Sequence, residues 1–202
     1  MFRRTAAVIL AASVLVAASC GGGGVDHSSS GGSGTSGREV SGGVAIGPAP
    51  EGIEGVVAYR IDSHNHTEED LEYDHRPPAG GDHNPIPATC GFYATDPPPD
   101  EFMVHSIEHG AIWIAYRPDL PDDQRDSLRD LVAEQAKVAA TPYEGIDSPL
   151  VVTAWGRQLA LESADDPRLI QFIETYRNSP NAPESTSPCQ GVGQPDVTAP
   201  AT

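Results

Sequence analysis

The segment Ala111 to Arg117 (AIWIAYR) is an almost uninterrupted apolar run that contains β-branched and aromatic residues. A run of this length and composition is typical of a buried strand. Hydrophobic residues make up only 38% of the 202-residue chain, and the segments that can build a core lie after about residue 100. We therefore expect one domain, assembled around this strand.

The segments that follow this strand show regular hydrophobic periodicity. Apolar residues recur at helical spacing after Pro121 and continue to Ala139, which predicts a helix that stops by Thr141. Residues 150–155 and 158–162 read as two strands joined by a tight turn, and a last helix starts at Asp165-Asp166-Pro167. These segments supply most of the predicted core.

The order of these elements, with one short strand candidate at Gly55 to Arg60, predicts an α+β fold. We expect a small mixed sheet with helices packed on one face, preceded by a loop-rich segment full of His, Pro and Gly. The domain should span residues 51–190. Residues 191–202 are predicted to form a disordered tail.

Met1 to Ser19 is predicted to be a signal peptide, in which Arg3 and Arg4 precede an apolar run from Ala6 to Ala18. As a helix this run spans roughly 20 Å, which is too short to cross a bilayer. Small residues lead directly into Cys20, and this junction resembles the lipobox of bacterial lipoproteins. We expect a lipid on Cys20 to anchor the protein to the outer face of the cytoplasmic membrane. The alternative is ordinary cleavage, with Cys20 incidental.

Residues 20–50 are dominated by Gly and Ser and offer almost nothing to bury, so we expect a flexible tether between the lipidated cysteine and the domain. The formal charge of the chain is -17. Such an acidic surface repels nucleic-acid phosphates and anionic lipid head groups. We therefore expect no nucleic-acid partner, and a membrane attachment that depends on the lipid.

The segment Glu101 to Gly110 (EFMVHSIEHG) can form a helix that begins after three prolines and ends at Gly110. In a helix, Glu101, His105, Glu108 and His109 line one face. Two imidazoles one turn apart can chelate a metal, and a neighbouring carboxylate can orient a ligand or act as a base. The alternative is a solvated polar face.

The preceding loop adds further histidines, and five of the seven in the chain lie between residues 64 and 105. Neutral imidazole suits zinc or copper better than magnesium or calcium. We therefore predict a metal site formed by His83, His105 and His109, with His66 as a fourth ligand and Glu108 as a supporting residue or base.

His105-Ser106-Ile107-Glu108-His109 also fits the H-x-x-E-H pattern of a class of zinc metallopeptidases. In that class both histidines hold zinc and the glutamate activates water. The pattern is short and arises easily by chance, and Gly110 ends the helix at once. An enzymatic activity is therefore not our leading expectation, and no catalytic residue is assigned.

Two cysteines remain once Cys20 is lipidated, Cys90 and Cys189. In an oxidising compartment two such thiols are expected to pair. The predicted disulfide would tie the Pro- and Ser-rich C-terminal segment to the body of the domain.

Several short motifs together resemble a bacterial family defined only as a domain of unknown function, DUF3105. They are PPAGGDH at residues 77–83, CGFY at 90–93 and VHSIEHG at 104–110. The resemblance covers roughly residues 55–190, and it implies a single extracytoplasmic domain without a known activity. The positions that match the family pattern are His66, Tyr73, His83, Cys90, His105, Glu108 and His109. His64 and His75 look like additions particular to this chain.

Three functional hypotheses follow. The first is a lipid-anchored envelope protein that binds zinc or copper through its histidines. The second is an envelope interaction or structural module in which the histidines only satisfy hydrogen bonds. The third is a zinc metallopeptidase.

The lipobox predicts that the protein incorporates labelled fatty acid and stays with the membrane fraction. Cys20→Ala removes the acceptor thiol, so both properties should be lost. Metabolic labelling and cell fractionation measure them. A wild-type protein that is unlabelled and freely secreted would contradict the prediction.

Overall fold

The computed structural model describes residues 40–201. The predicted signal peptide, Cys20 and the tether up to residue 39 lie outside the described residues. The apolar run forms strand β6, Ile112–Tyr116, in which all five residues are buried. The predicted central strand is confirmed.

Ten strands and three helices are present between residues 40 and 201. In chain order they are β1 Val40–Ser41, β2 Val44–Pro48, β3 Val57–Arg60, β4 Glu72–Tyr73, β5 Gly91–Phe92, α1 Asp100–Glu108, β6 Ile112–Tyr116, α2 Asp122–Glu134, β7 Val138–Pro142, β8 Leu150–Ala154, β9 Arg157–Leu161, α3 Pro167–Tyr176 and β10 Val197–Thr198.

Eight of these strands form one mixed sheet, in the order β10-β5-β7-β6-β8-β9-β3-β2. Strand β6 pairs in parallel with β7 and antiparallel with β8, so it has a neighbour on each side. Strands β1 and β4 form a separate two-stranded pair. The predicted α+β class is confirmed.

The helices cover both faces of the sheet rather than the single face that the sequence predicts. Ile112 and Ile114 point into a core with α2 and α3. Trp113 and Ala115 point the other way, into a core with α1. The physical reason is that successive strand residues face opposite sides, so a strand that is apolar at every position needs cover on both faces.

The helix predicted to reach Ala139 ends instead at Glu134. Lys137 adopts a positive φ of 54°, and residues 138–142 then form β7. The apolar residues of Val138 to Ala140 fit a buried strand as well as a helix. Burial between β5 and β6 decides in favour of the strand.

Both ends of the domain extend beyond the predicted boundaries. Residues 44–48, assigned to the tether, form β2 and pair with β3 at the sheet edge. Residues 197–198, assigned to the disordered tail, form β10 and pair with β5. Backbone pairing adds these short and mostly exposed segments to the sheet with little apolar burial, and hydrophobic pattern therefore does not reveal them.

Cys90 and Cys189 form a disulfide with a Cα separation of 5.5 Å, as predicted. The Cys90 amide also donates to the Cys189 carbonyl at 3.1 Å, and the Ala199 amide donates to the Cys90 carbonyl. A disulfide is typical of a protein in an oxidising compartment outside the cytoplasm. Within residues 40–201, no helix has the length and hydropathy needed to span a membrane.

The disulfide closes a sequence separation of 99 residues. Loop closure of that length stabilises the folded state by up to about 4.7 kcal/mol. The double variant Cys90→Ser, Cys189→Ser should therefore unfold at lower denaturant concentration than the oxidised wild type. Reductant should lower the midpoint of the wild type but leave that of the variant unchanged; equal midpoints for oxidised wild type and variant would contradict the prediction.

Candidate metal centre

Helix α1 carries three of the predicted site residues into the interior. Asp100 follows Pro99, which starts the helix, and the chain leaves it through Gly110 at a φ of 80°. A Cβ on Gly110 would lie 2.9 Å from the Asn178 Cα, so only glycine allows this tight passage into β6. Because α1 packs directly on β6, the side chains on its inner face have little access to solvent. His105, Glu108 and His109 are all buried.

The loop before α1 brings His66 next to His83. The Thr67 amide donates to the His83 carbonyl at 2.8 Å, and the His83 amide donates to the Asn65 carbonyl at 3.0 Å. Asp82 reinforces this pairing, because its Oδ1 accepts from the Asn65 amide at 2.6 Å. Hydrogen bonds rather than regular secondary structure therefore fix this segment.

Four side chains from these two elements converge. The ligand atoms of His66, His83, His105 and Glu108 all lie within 4.8 Å of one another. His83 Nε2 is 2.9 Å from Glu108 Oε2, and His66 Nε2 is 3.8 Å from the same oxygen. The ring centroids of the three histidines are 4.8 to 4.9 Å apart. We call these four residues the imidazole–carboxylate cluster.

Backbone carbonyls fix the tautomers of the buried imidazoles. The Nδ1 atoms of His83, His105 and His109 lie 2.8, 2.7 and 2.7 Å from the carbonyl oxygens of Gly81, Asn84 and Pro188, respectively. A carbonyl oxygen can only accept, so each Nδ1 must carry a hydrogen. In the neutral rings, each Nε2 then holds a lone pair.

These Nε2 lone pairs face other electron-rich atoms. His83 Nε2 lies 2.9 Å from Glu108 Oε2, an ion-pair distance when Nε2 carries a proton, but the orientation of the two groups is not that of a regular hydrogen bond. His105 Nε2 lies 2.8 Å from His109 Nε2. Two lone pairs at such distances repel, and a buried polar atom without a partner costs about 1–3 kcal/mol. Either a proton or a metal ion between the atoms removes both penalties.

The electrostatics of the cluster favour neutral imidazole at His105. The pKa of His105 is lowered to about 4, mainly by burial and further by the neighbouring rings of His109, His83 and His66, while the contact with Asn84 opposes the change. Burial raises the pKa of Glu108, but the surrounding histidines outweigh burial and the net pKa is lowered. At neutral pH the cluster therefore presents a carboxylate and a free imidazole lone pair.

His109 lies on the other side of His105 and belongs to a second group with Glu184. Its Nε2 is 3.3 Å from Glu184 Oε2. The predicted set of four histidines is therefore divided: His66, His83 and His105 meet around Glu108, whereas His109 joins them only through His105. Glu108 takes the place in the cluster that the sequence assigns to His109.

Sequence analysis identifies some of the remaining residues near the cluster and misses others. His64 Nδ1 is 3.0 Å from Glu108 Oε1, so this apparent addition also reaches the cluster. His75 stacks on Tyr59 and accepts from the Ala79 amide, away from it. Glu184 lies in a Pro- and Ser-rich segment with no periodicity, and no sequence signal marks it.

The fold and the cluster define an α+β domain with a largely buried imidazole–carboxylate group. A family model described as a protein of unknown function, DUF3105, matches residues 64–191. The chain belongs to this family. No curated protein and no solved structure matches the chain.

The carbonyl contacts predict the protonation of individual nitrogens. After incubation with zinc at neutral pH, His83 and His105 should each carry a hydrogen on Nδ1 and none on Nε2. Nitrogen-15 NMR that correlates ring nitrogens with carbon-bound hydrogens measures this directly, with assignments from single His→Gln variants. Hydrogens on Nε2 of these residues would mean that protons, not a metal, separate the facing atoms.

Proposed function

We propose that this protein binds a divalent transition metal, zinc or copper, at the imidazole–carboxylate cluster on the outer side of the cytoplasmic membrane. The observation that carries the proposal is the pair of facing lone pairs between His83 and Glu108, held in place by the Nδ1 contact of His83. A metal ion can accept a lone pair from each of these two atoms at once.

The donor set suits this class of metal. Three imidazoles and one carboxylate are borderline ligands that favour zinc or copper(II) over calcium and magnesium, which prefer oxygen alone. No free cysteine thiol is present among the described residues, because Cys90 and Cys189 are in the disulfide. Tetrahedral ligand atoms about 2 Å from zinc lie roughly 3.3 Å apart, so shifts of about 1 Å or less per residue would complete the site.

The surroundings of the cluster resemble those that metal sites require. A ligating histidine usually donates its other ring N–H to a carbonyl or carboxylate, which fixes the tautomer and the ring orientation. His83 and His105 have such carbonyl partners. His66 is 45% exposed, so an ion can reach the cluster from solvent on that side.

The interaction module is the second candidate, and one observation favours it. His109 Nε2 lies within reach of both His105 Nε2 and the Glu184 carboxylate, so a proton on His109 would satisfy that group. The metal proposal explains more, because the convergence of three histidines on Glu108 then has a single cause. The peptidase hypothesis requires Glu108 to be free to activate water, whereas here it contacts His64 and His83.

The lipid anchor remains part of the proposal. The disulfide supports a location outside the cytoplasm, and the junction before Cys20 supports lipidation. Together they describe a metal-binding domain held near the membrane surface.

Metal binding should be visible in composition and stability. Protein purified without a His tag should contain near-stoichiometric zinc or copper, or take it up after chelator treatment. At a free metal concentration roughly 100 times Kd, linkage stabilises the folded state by about 2.7 kcal/mol. Elemental analysis and thermal melts with and without chelator measure both effects.

Substitutions locate the site. Glu108→Gln keeps the size of the side chain but removes its charge, and His105→Ala removes a ligand, so both should abolish the metal-dependent rise in Tm. His75→Gln is the matched control, since it keeps an acceptor for the Ala79 amide and lies outside the cluster. A wild type that takes up neither zinc nor copper, with unchanged Tm, would favour the interaction module.

A further inference from the structure

A cavity of about 700 Å³ lies beside the first turn of α1. Its wall includes the rings of Tyr73, Trp113 and Tyr143. Trp113 and Thr141 are almost fully buried and form its floor, where the indole N–H donates to the Thr141 hydroxyl at 2.8 Å. A volume of 300–1,000 Å³ is the usual range for small-ligand sites, which this cavity matches.

The described residues that line this cavity carry four carboxylates and one guanidinium. The acidic residues are Glu72, Asp100, Glu101 and Glu144, and the basic residue is Arg76. Asp100 accepts from the Tyr143 hydroxyl at 2.6 Å. Burial raises the pKa of Asp100, and the nearby Glu101 adds to this effect, while the Tyr143 hydroxyl and Arg76 oppose it. The cavity is therefore electronegative as well as aromatic.

Arg76 shows which kind of group this lining accepts. Its Cζ lies 5.3 Å from the centroid of the Tyr143 ring, and its Nε donates to the Tyr143 hydroxyl at 3.1 Å. The same nitrogen is 3.9 Å from Asp100 Oδ2. The Arg76 side chain is 67% exposed, so it sits at the mouth of the cavity rather than inside it. The chain thus places its own cation against an aromatic face and a carboxylate.

We propose that this cavity binds a small organic cation that carries an alkylammonium or guanidinium group. Cation–π contact with Tyr143 and a charge-assisted hydrogen bond to Asp100 would hold the cationic group, and the aromatic residues of the lining would pack on its carbon chain. The net charge of -17 further favours cations over anions at this surface. The proposal involves none of the cluster residues and does not depend on metal binding.

Calorimetric titration of the full mature chain in chelator with agmatine, which carries both groups, tests the proposal. Saturable binding is expected. Asp100→Asn keeps the side-chain shape and an acceptor for Tyr143 but removes the charge, so affinity should fall about ten-fold. Glu162→Gln, an exposed carboxylate outside the cavity, should change nothing.

Arg76→Ala gives the sharpest test, because it removes the internal competitor. Agmatine should bind this variant as tightly as the wild type or more tightly. Glu144→Gln should also weaken agmatine binding. It replaces Asp100→Asn in the test if a thermal melt shows that Asp100→Asn is unfolded. An amidated Gly-Arg-Gly peptide presents the same guanidinium on a protein chain, and its affinity relative to agmatine identifies the source of the cation.

Three results would overturn the proposal. The first is no saturable binding of either agmatine or the peptide. The second is weaker agmatine binding by Arg76→Ala, which would mean that Arg76 supports the binding surface and does not compete with the ligand. The third is that succinate, an anion, binds as tightly as agmatine.

Discussion

Strand β6 is apolar on both faces, so both faces must be covered from solvent. This requirement determines the position of α1. One face of β6 packs on α2 and α3, and α1 covers the other through Trp113 and Ala115. A helix that covers a sheet buries whatever it carries on its inner face. In α1 that face includes His105 and Glu108, so the packing that completes the core also takes two titratable side chains out of water.

Burial alone does not orient the imidazoles, and backbone carbonyls supply the remaining constraint. Three carbonyls from separate segments, those of Gly81, Asn84 and Pro188, accept from the Nδ1 atoms of the buried histidines. Each contact turns a ring so that its Nε2 faces inward. The disulfide joins Cys189 to Cys90, so the C-terminal segment is covalently tied to the domain one residue after Pro188, whose carbonyl orients His109.

Sequence alone predicts the parts of this arrangement that depend on local pattern. The helix with His105, Glu108 and His109, the central strand and the α+β class follow from periodicity. The unbroken apolar run of β6 requires helices on both faces of the sheet, but the order of the elements alone does not place them there. The boundary between α2 and β7 depends on tertiary burial. The role of Glu184 and the division of the histidines into two groups could not be predicted, because they depend on loop conformation and on which Nε2 atoms meet.

The central claim is that a metal ion lies between His83, His105 and Glu108, and anomalous diffraction from crystals grown with zinc tests it most directly. Data collected on either side of the zinc absorption edge should show one strong anomalous peak about 2 Å from His83 Nε2, His105 Nε2 and a Glu108 oxygen, with His66 as the fourth ligand. An ordered cluster without anomalous density there, or a peak located only at surface carboxylates, would contradict the account.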